Sequence, residues 1–321
     1  MTTFNEFDLI KNYFSSQDCH RNDVNKGIGD DAAIITVPID HDITITTDTL
    51  VSGVHFYPSV SAFDIGFKAL AVNLSDLAAM GATPAWITLA LTLPTVDTAW
   101  LEGFSEGLFT LANRYQVQLI GGDITHGPLS ITIQALGLLP KGQALLRSNA
   151  KIGDHIYVTG TLGDAGLALV HTQQKVHLNP NLRGAPLTKL HQPEPRLATG
   201  RALLGIANAA IDISDGLAAD LNHILIASHV GAIVNVDQLP LSPELQQSIP
   251  HESAIELALT AGDDYELCFT VSPPHIPRLE KALSSIACRY TCIGEITAQP
   301  GLHLYNKQGP YHGKTSGYQH F

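Results

Sequence analysis

Short β-rich runs alternate with longer helical stretches along this chain, and that alternation constrains its architecture more than any other feature. A run of β-branched and aromatic residues predicts a strand, and apolar residues three and four positions apart predict a helix. Elements that alternate in this way build layers, so we predict an α/β fold (α+β layers). The predicted strands are residues 42–47, 85–93, 129–138, 155–159, 231–236 and 266–271. The predicted helices are residues 63–80, 98–115, 195–207, 215–228 and 274–285.

One segment of the chain is suited to join two domains. The chain has 321 residues, about twice the length of a typical domain. Residues 140–154, PKGQALLRSNAKIGD, are rich in turn formers and polar side chains and interrupt the alternation. We therefore predict an N-terminal domain over residues 1–150 and a C-terminal α/β domain over residues 151–321.

Acidic residues outnumber basic ones by 30 to 18, which gives a net charge of −12. This charge repels nucleic-acid phosphates and anionic membrane surfaces, so we expect neither as a partner. No apolar run approaches the roughly 18 residues of a membrane span, and the N-terminal residues lack the pattern of a signal peptide. The four cysteines are too scattered for a disulfide framework. We predict a cytoplasmic protein.

The acids are concentrated in one part of the chain. Between residues 27 and 113 there are ten acidic residues, and Lys68 is the only basic one. Five of these ten acids lie in turns or at helix starts, where exposure to solvent is the ordinary explanation. Asp76 differs because its helix, FDIGFKALAVNLSDLAAMGA, is apolar on almost every side. A buried carboxylate needs a metal, an ion pair or hydrogen bonds, so either a divalent cation or the nearby backbone could satisfy Asp76.

Further aspartates follow strand-like runs or glycine pairs at several places. The segments GIGDDAAI, ITITTDTLV, QLIGGDIT and AIDISDG contain Asp31, Thr46, Thr47, Asp48, Asp123, Asp212, Ser214 and Asp215. Side chains at strand ends point into the crevice where α/β proteins bind ligands. Oxygen ligands with small neighbours favour Mg²⁺ that also holds nucleotide phosphates, and the lack of His and Cys in these segments argues against zinc or copper.

Three other features carry open alternatives. The glycine-rich segment VTGTLGDAG leaves a strand and enters a helix near Asp164, so it is either a phosphate-binding loop or a tight turn. Arg147 is either a partner of a nucleotide phosphate or an ordinary surface residue. His55, followed by Phe56 and Tyr57, is either part of a substrate pocket or a structural histidine. No Ser-His-Asp or Cys-His signature supports covalent catalysis.

Seven ordered motifs carry a resemblance that covers essentially the whole chain. They are GIGDDAAI, TTDTLVSGVHF, KALAVNLSDLAAMGATPAW, QLIGGD, AIDISDG, DYELCF and the terminal GYQHF. In this order and spacing they resemble the bacterial thiamine-monophosphate kinases, which share a superfamily with aminoimidazole ribonucleotide synthetase and selenophosphate synthetase. The resemblance implies an aminoimidazole ribonucleotide synthetase-like fold of two domains. It also implies a homodimer in which the N-terminal sheets form the interface.

The resemblance further implies direct, in-line transfer of the γ-phosphoryl group of ATP to thiamine monophosphate, giving thiamine diphosphate. The implied magnesium ligands are Asp31, Thr46, Thr47, Asp48, Asp76, Asp123, Asp212 and Asp215. The implied ATP contacts are Gly122, Asp123, Arg147 and Ser214, and the implied substrate contacts are His55, Asp263 and Tyr318. Transfer between two phosphates needs charge neutralisation and alignment rather than a protein base, so we assign no general base and no catalytic residue.

The chain departs from the family pattern near the implied substrate. Asp263 stands where the family usually has Glu, which shortens the reach of the carboxylate by one methylene, and Ile124 changes GGDTT to GGDIT. Two alternatives stay open. Another ATP-dependent synthetase of the superfamily would share the aspartates, and a non-enzymatic acidic protein would bind cations without depending on ATP.

Overall fold

The structure is a computed structural model that describes residues 5–318, and the chain divides into two compact units. Unit 1 comprises Met1–Leu77 and Ala82–Gly142, and unit 2 comprises Ala78–Gly81 and Gln143–Phe321. Each unit contains its own mixed sheet together with helices, which confirms the predicted α/β class. The predicted boundary at residue 150 lies between the last strand of unit 1 and the first strand of unit 2. No helix within residues 5–318 is both long and apolar enough to cross a membrane.

Unit 1 is built on a four-stranded sheet with two long helices. Its strands are β1 (Val24–Lys26), β2 (Ile34–Ile35), β3 (His41–Val51), β4 (Thr83–Leu93), β5 (Gln118–His126) and β6 (Ser130–Pro140). Its helices are α1 (Glu6–Leu9), which continues as a π-helix (Ile10–Phe14), α2 (Ala62–Ala79) and α3 (Thr98–Tyr115). The order of the large sheet is β3, β6, β4, β5, and only β4 and β5 run parallel. β1 and β2 form a separate antiparallel pair.

Glycines let the two long helices of unit 1 approach at backbone distance. A Cβ atom on Gly66 of α2 would lie 2.0 Å from the carbonyl oxygen of Phe104, and one on Gly107 of α3 would lie 1.9 Å from that of Phe63. No side chain fits at either position, so both require glycine. This close crossing fixes the position of α2, the helix that carries Asp76.

Unit 2 is built on a seven-stranded sheet. Its strands are β7 (His155–Thr159), β8 (Ala209–Ile213), β9 (Gly231–Asn235), β10 (Glu266–Val271), β11 (Tyr290–Thr297), β12 (Gly301–Asn306) and β13 (Gly309–Pro310). Its helices are α4 (Asp164–Thr172), α5 (Gly184–His191), α6 (Leu197–Ala202), α7 (Leu217–Ser228), α8 (Pro243–Ser248), α9 (His251–Thr260) and α10 (Ile276–Leu283). Short 3₁₀ turns occupy Arg147–Asn149, Val236–Gln238 and Pro273–His275. The strand order is β13, β12, β9, β11, β7, β10, β8.

The strand β7 lies inside this sheet and pairs antiparallel with both β10 and β11. Its alternate residues Ile156 and Val158 join the apolar core of unit 2, which also includes Leu221 of α7. Tyr157 alternates with them, and its ring stacks on Phe269 with centroids 5.5 Å apart. The period of two along β7 therefore places apolar side chains on both faces of the sheet.

Several predicted elements differ from the observed ones. The helix predicted over residues 195–207 is shorter, Leu197–Ala202, because the chain turns at Gly205, whose φ is +69°. The strands Tyr290–Thr297 and Gly301–Asn306 were not predicted. A Cβ atom on Gly294 would lie 2.1 Å from the carbonyl oxygen of Ile233, so a glycine that is typical of turns is here required by strand pairing.

Candidate active site

The acidic region of unit 1 is formed where β3 faces α2. Thr46 and Asp48 are two residues apart on β3 and therefore lie on the same face of the strand. The Thr46 hydroxyl donates a hydrogen bond to a carboxylate oxygen of Asp76 on α2. Burial, together with the charge of Asp76, raises the pKa of Asp48 to about 7. Two carboxylates and one hydroxyl are thus crowded at a half-buried position.

This arrangement suits a hard divalent cation. Within residues 5–318, no three or more His, Cys, Asp or Glu side chains are grouped closely enough to hold a metal ion by themselves. Mg²⁺ does not need such a cage, because one or two carboxylates commonly bind it together with waters and substrate phosphates. Asp48, Asp76 and Thr46 supply oxygen donors of the kind Mg²⁺ prefers. A cation there would favour the ionised form of Asp48 that burial and the neighbouring carboxylate disfavour.

Thr47, which was predicted as a ligand beside Thr46 and Asp48, lies on the other face of β3. Its partner across the β3–β6 pair is Gln134, whose side-chain amide donates to the Thr47 hydroxyl at 3.4 Å. Because successive residues of a strand alternate between faces, the Thr47 side chain is not gathered with Thr46 and Asp48. The alternation of the ITITTDTLV segment carries this signal in the sequence itself.

A cavity of about 770 Å³ in unit 1 brings together three other predicted residues. Asp31, Gly122 and Asp123 line it, and an apolar wall that includes Ile10 and Phe14 lines it as well. Only glycine fits at position 122, because a Cβ atom there would lie 1.9 Å from the carbonyl oxygen of Leu89 on β4. The volume of the cavity lies within the usual range of small-molecule sites, and its lining combines carboxylates with apolar surface.

In unit 2, a buried carboxylate shapes the loop that contains Asp212, Ser214 and Asp215. Asp220, at the start of α7, accepts backbone N–H groups of Ser214, Asp215 and Gly216 at 3.0, 3.0 and 3.2 Å. Burial raises the pKa of Asp220 to about 6, with the charge of Asp215 adding to the effect and the three N–H groups opposing it. We did not predict a role for Asp220. An acidic residue in the first turn of a helix was the available signal.

Two of the three predicted substrate residues meet at this same loop. The Asp263 N–H donates to the carbonyl oxygen of Ser214 at 2.9 Å, and the Tyr318 N–H donates to that of Asp215 at 3.0 Å. The Tyr318 side chain is 48% exposed, so its ring is accessible to a ligand. The last three residues of the terminal GYQHF motif lie outside the described residues. His55 belongs to unit 1, where its Nδ1 accepts the Val51 N–H at 3.0 Å.

Arg147 begins a 3₁₀ turn of unit 2 whose backbone is fastened to the end of α7. The Ser228 hydroxyl donates to the carbonyl oxygen of Arg147 at 2.8 Å and accepts the Ala150 N–H at 3.1 Å. The Arg147 side chain is exposed, which leaves both of its predicted explanations available. The structure thus fixes the backbone of this residue and leaves its guanidinium at the surface.

The glycine-rich segment of unit 2 is explained by packing. A Cβ atom on Gly160 would lie 2.0 Å from Glu266 Oε1, and one on Gly163 would lie 2.8 Å from the backbone nitrogen of Ala258. The N–H of Gly163 donates to Asp264 Oδ2 at 2.8 Å. Because that amide is already used within unit 2, the structure favours a tight turn over a phosphate-binding loop at Gly163.

Two family models match consecutive parts of the chain. AIR synthase related protein, N-terminal domain, matches residues 29–139, and AIR synthase related protein, C-terminal domain, matches residues 151–307. Thiamine-monophosphate kinase of Escherichia coli (strain K12) is 49% identical over 318 residues, which cover 98% of each protein. The chain belongs to the thiamine-monophosphate kinase family. The resemblance drawn from the seven motifs is thereby confirmed.

Other thiamine-monophosphate kinases are similar over the same extent. That of Bacillus subtilis (strain 168) is 36% identical and covers 98% of this chain and 99% of that protein. The crystal structure of thiamine-monophosphate kinase from Stenotrophomonas maltophilia K279a matches with a TM-score of 0.85 at 46% identity, covering 88% of this chain and 92% of that one. A structure of AaThiL complexed with AMPPCP and TMP matches with a TM-score of 0.78 at 30% identity, covering 92% of each. These matches confirm the predicted fold and place the chain in a family of phosphotransferases.

Proposed function

We propose that this chain transfers the γ-phosphoryl group of ATP to the phosphate of thiamine monophosphate, forming thiamine diphosphate and ADP. The observation that carries the proposal is its similarity, over 92% of both chains, to AaThiL complexed with AMPPCP and TMP. AMPPCP stands in for ATP, with a methylene in place of the oxygen that would leave with ADP. A phosphate oxygen of the acceptor forms the new bond to the γ-phosphorus as the bond to that bridging oxygen breaks.

Mg²⁺ is the proposed metal, held in unit 1 by Asp48, Asp76 and Thr46. When bound, it supplies positive charge that offsets the repulsion between two anionic phosphates. The raised pKa of Asp48 supports this assignment, because a site that disfavours a second negative charge is stabilised by a cation. The remaining proposed ligands are Asp31, Thr47 and Asp123 in unit 1 and Asp212 and Asp215 in unit 2, with Thr47 limited to its backbone oxygen.

The chain needs no general base for this reaction. A terminal phosphate oxygen is already a nucleophile at neutral pH, so the work left to the protein is to align the acceptor with the γ-phosphate. We propose that Gly122, Asp123, Arg147 and Ser214 contact ATP, and the cavity lined by Gly122 and Asp123 supports this assignment. The cationic, aromatic thiamine group suits an exposed aromatic ring and a carboxylate, so we propose Tyr318, Asp263 and His55 as its contacts.

We also propose that the chain forms a homodimer through the sheet of unit 1. β3 is an edge strand of eleven residues, and Ile43 and Ile45 on it are 39% and 60% exposed. A long edge strand with exposed apolar residues needs a cover, which a second copy would supply. Sedimentation is expected to give about twice the chain mass of 34.4 kDa. A fully active monomer would contradict the dimer and leave the kinase proposal standing.

The proposed activity is tested with purified protein, Mg²⁺, ATP and a panel of acceptors: thiamine, thiamine monophosphate and aminoimidazole precursors. We expect thiamine diphosphate and ADP in equal amounts with thiamine monophosphate, and no product after chelation of Mg²⁺. Product from an aminoimidazole precursor would instead indicate a sister synthetase. Calorimetry that detects metal binding without any dependence on ATP would indicate a non-enzymatic protein. The cytoplasmic location stays a prediction.

A further inference from the structure

Unit 2 contains a buried group of charged side chains that the proposed reaction does not use. We call Asp164, Lys189, Arg196 and Glu266 the ion network. Arg196 donates to both carboxylate oxygens of Glu266 at 2.6 Å, and Lys189 lies 3.0 Å from Asp164. Glu266 is 1% exposed and Asp164 2% exposed. Two carboxylates are therefore balanced by two cations inside the unit, which is how buried charges are tolerated.

Asp264 lies beside the ion network and is a third buried carboxyl group, 5% exposed. Its Oδ2 accepts the Gly163 N–H at 2.8 Å, whereas its Oδ1 has no hydrogen-bond partner within the part of the chain that the structure describes. Burial raises the pKa of Asp264 well above its usual range; the Gly163 N–H and Lys189 oppose this shift, and Asp164 and Glu266 add to it. The contact that Asp264 makes with the glycine-rich turn is therefore through an acceptor oxygen.

The backbone around Asp264 is held away from its preferred conformations. Asp263 and Tyr265, its two neighbours, have φ values of +69° and +47°, in the left-handed region, which is uncommon for non-glycine residues and is tolerated better by Asp than by Tyr. Their N–H groups donate to Ser214 and Ile213 on one side of the segment. On the other side, the Asp264 carboxyl group binds the glycine-rich turn by accepting the Gly163 N–H.

We propose that Asp264 is a positioning residue for the acceptor: it fastens the segment 262–265 to the turn at Gly163, so that the Asp263 carboxylate is presented to the thiamine group. This inference rests on the proposed function. The role requires an oxygen that accepts the Gly163 N–H, and it does not require a negative charge. An amide at position 264 therefore replaces the carboxyl, whereas a methyl group does not.

The test compares Asp264→Ala, Asp264→Asn and the control Thr270→Val in the full chain. Thr270 lies on β10, the strand that follows Asp264, and, like Asp264, is buried; its hydroxyl donates to Asp154 at 3.1 Å. Asp264→Ala is expected to raise KM for thiamine monophosphate about tenfold or more while KM for ATP stays within about twofold. Asp264→Asn is expected to restore both values. Thr270→Val is expected to lower the unfolding temperature without changing either KM.

The outcomes separate this inference from the function on which it rests. A wild-type chain that forms no thiamine diphosphate overturns the proposed function. An active wild type whose KM for thiamine monophosphate is unchanged in Asp264→Ala, or equally raised in Asp264→Asn, overturns the positioning role alone. An equal rise in Thr270→Val also overturns it, because any loss of stability would then suffice. If Asp264→Ala does not fold, Asp264→Ser answers the same question, since its hydroxyl is too short to reach Gly163.

Discussion

The two units each contain crowded carboxylates, and they differ in where the compensating charge comes from. In unit 2, Glu266 is paired with Arg196, and its hydrogen bonds and charge raise the pKa of Arg196 although burial acts to lower it. In unit 1, burial and the Asp76 carboxylate both raise the pKa of Asp48. The carboxylates of the first group are paired with cations of the protein, whereas the raised pKa of Asp48 supports our proposal that the second group binds a metal ion.

The difference distinguishes buried acids that stabilise the fold, as in unit 2, from acids that we propose bind a ligand, as in unit 1. Breaking the pair between a buried carboxylate and an arginine destabilises the fold, and a carboxylate that is already paired binds a ligand weakly. A carboxylate pressed against another is destabilised until a cation arrives, and that free energy is available for binding. Counting acids along the sequence does not distinguish the two cases, whereas the positions of the Lys and Arg side chains in the fold do distinguish them.

The largest expected effect is the loss of stability in Arg196→Met. Removing Arg196 leaves Glu266 buried, with Lys189 3.8 Å away as its remaining cation. We expect the free energy of unfolding in urea to fall by about 3 kcal/mol or more. The control is Lys314→Met, which breaks the exposed pair with Glu256 and should leave the free energy of unfolding nearly unchanged. Equal losses in the two variants would remove the distinction between the units.

The next effect is on rate rather than stability, and it concerns Asp76→Asn. Loss of one carboxylate from a cation clamp should reduce turnover on the order of 10²-fold or more. Stability without Mg²⁺ should be unchanged or increased, because the repulsion with Asp48 is relieved. Asp97→Asn is the matched control, since Asp97 is the N-cap of α3 and Asn caps helices equally well. A near-normal rate at saturating Mg²⁺ would refute the metal assignment of Asp76.

A smaller effect is expected in the pH dependence of stability. The folded state raises the pKa of Asp264, so its contribution is greatest below about pH 4, the usual range of an unfolded Asp, and is lost as pH rises. Asp264→Asn cannot titrate. As pH rises above about 4, the unfolding free energy of Asp264→Asn should therefore increase relative to that of the wild type, by at most about 1.4 kcal/mol per pH unit. Urea unfolding at pH 4, 5.5 and 7 measures the difference, and a constant difference would contradict a raised pKa of Asp264 in the folded state.

The smallest effect concerns acceptor binding at the loop of unit 2. Tyr318→Ala should raise KM for thiamine monophosphate by roughly 2-fold to 30-fold, which corresponds to the loss of a cation–π contact, and Asp263→Ala should act in the same direction. KM for ATP should remain nearly unchanged in both, and Asp263→Glu should be active. Steady-state kinetics with each substrate varied in turn decides this. Variants that weaken ATP and spare thiamine monophosphate would show that the substrate contacts are wrongly assigned.

Local pattern was sufficient for much of the fold. The helix at residues 98–115 and the strands at residues 155–159 and 266–271 have the predicted bounds, because their periodicity coincides with their burial. The half-buried setting of Asp76, among buried neighbours of its apolar helix, also followed from the sequence. The strand at 290–297 was missed because Gly294 and Glu295 interrupt its pattern, and pairing on both sides stabilises it instead.

Site residues could be proposed from the sequence only where each of them lies in a recognisable motif. Asp31, Gly122 and Asp123 lie in recognisable motifs, whereas the bonds from Arg196 to Glu266 join residues 70 positions apart. No local pattern pairs such residues, because the contact is created by the sheet. The Thr47 side chain lies on the other face of β3 from Thr46, and the alternation of strand residues that separates them was already in the sequence.

The position of β7 inside the sheet of unit 2 also bears on synthesis. β7 is the first strand of this sheet to leave the ribosome, yet its two neighbours are made much later, and the bond between Asp154 and Thr270 spans 116 residues. Contacts between residues that are far apart in the sequence slow folding. The N-terminal part of a chain is also synthesised first, so β7 must wait for its partners. Until residue 297 is available, at least one edge of an apolar strand stays open. A nascent chain of this protein therefore carries its own aggregation hazard from the synthesis of β7 until β11 is complete.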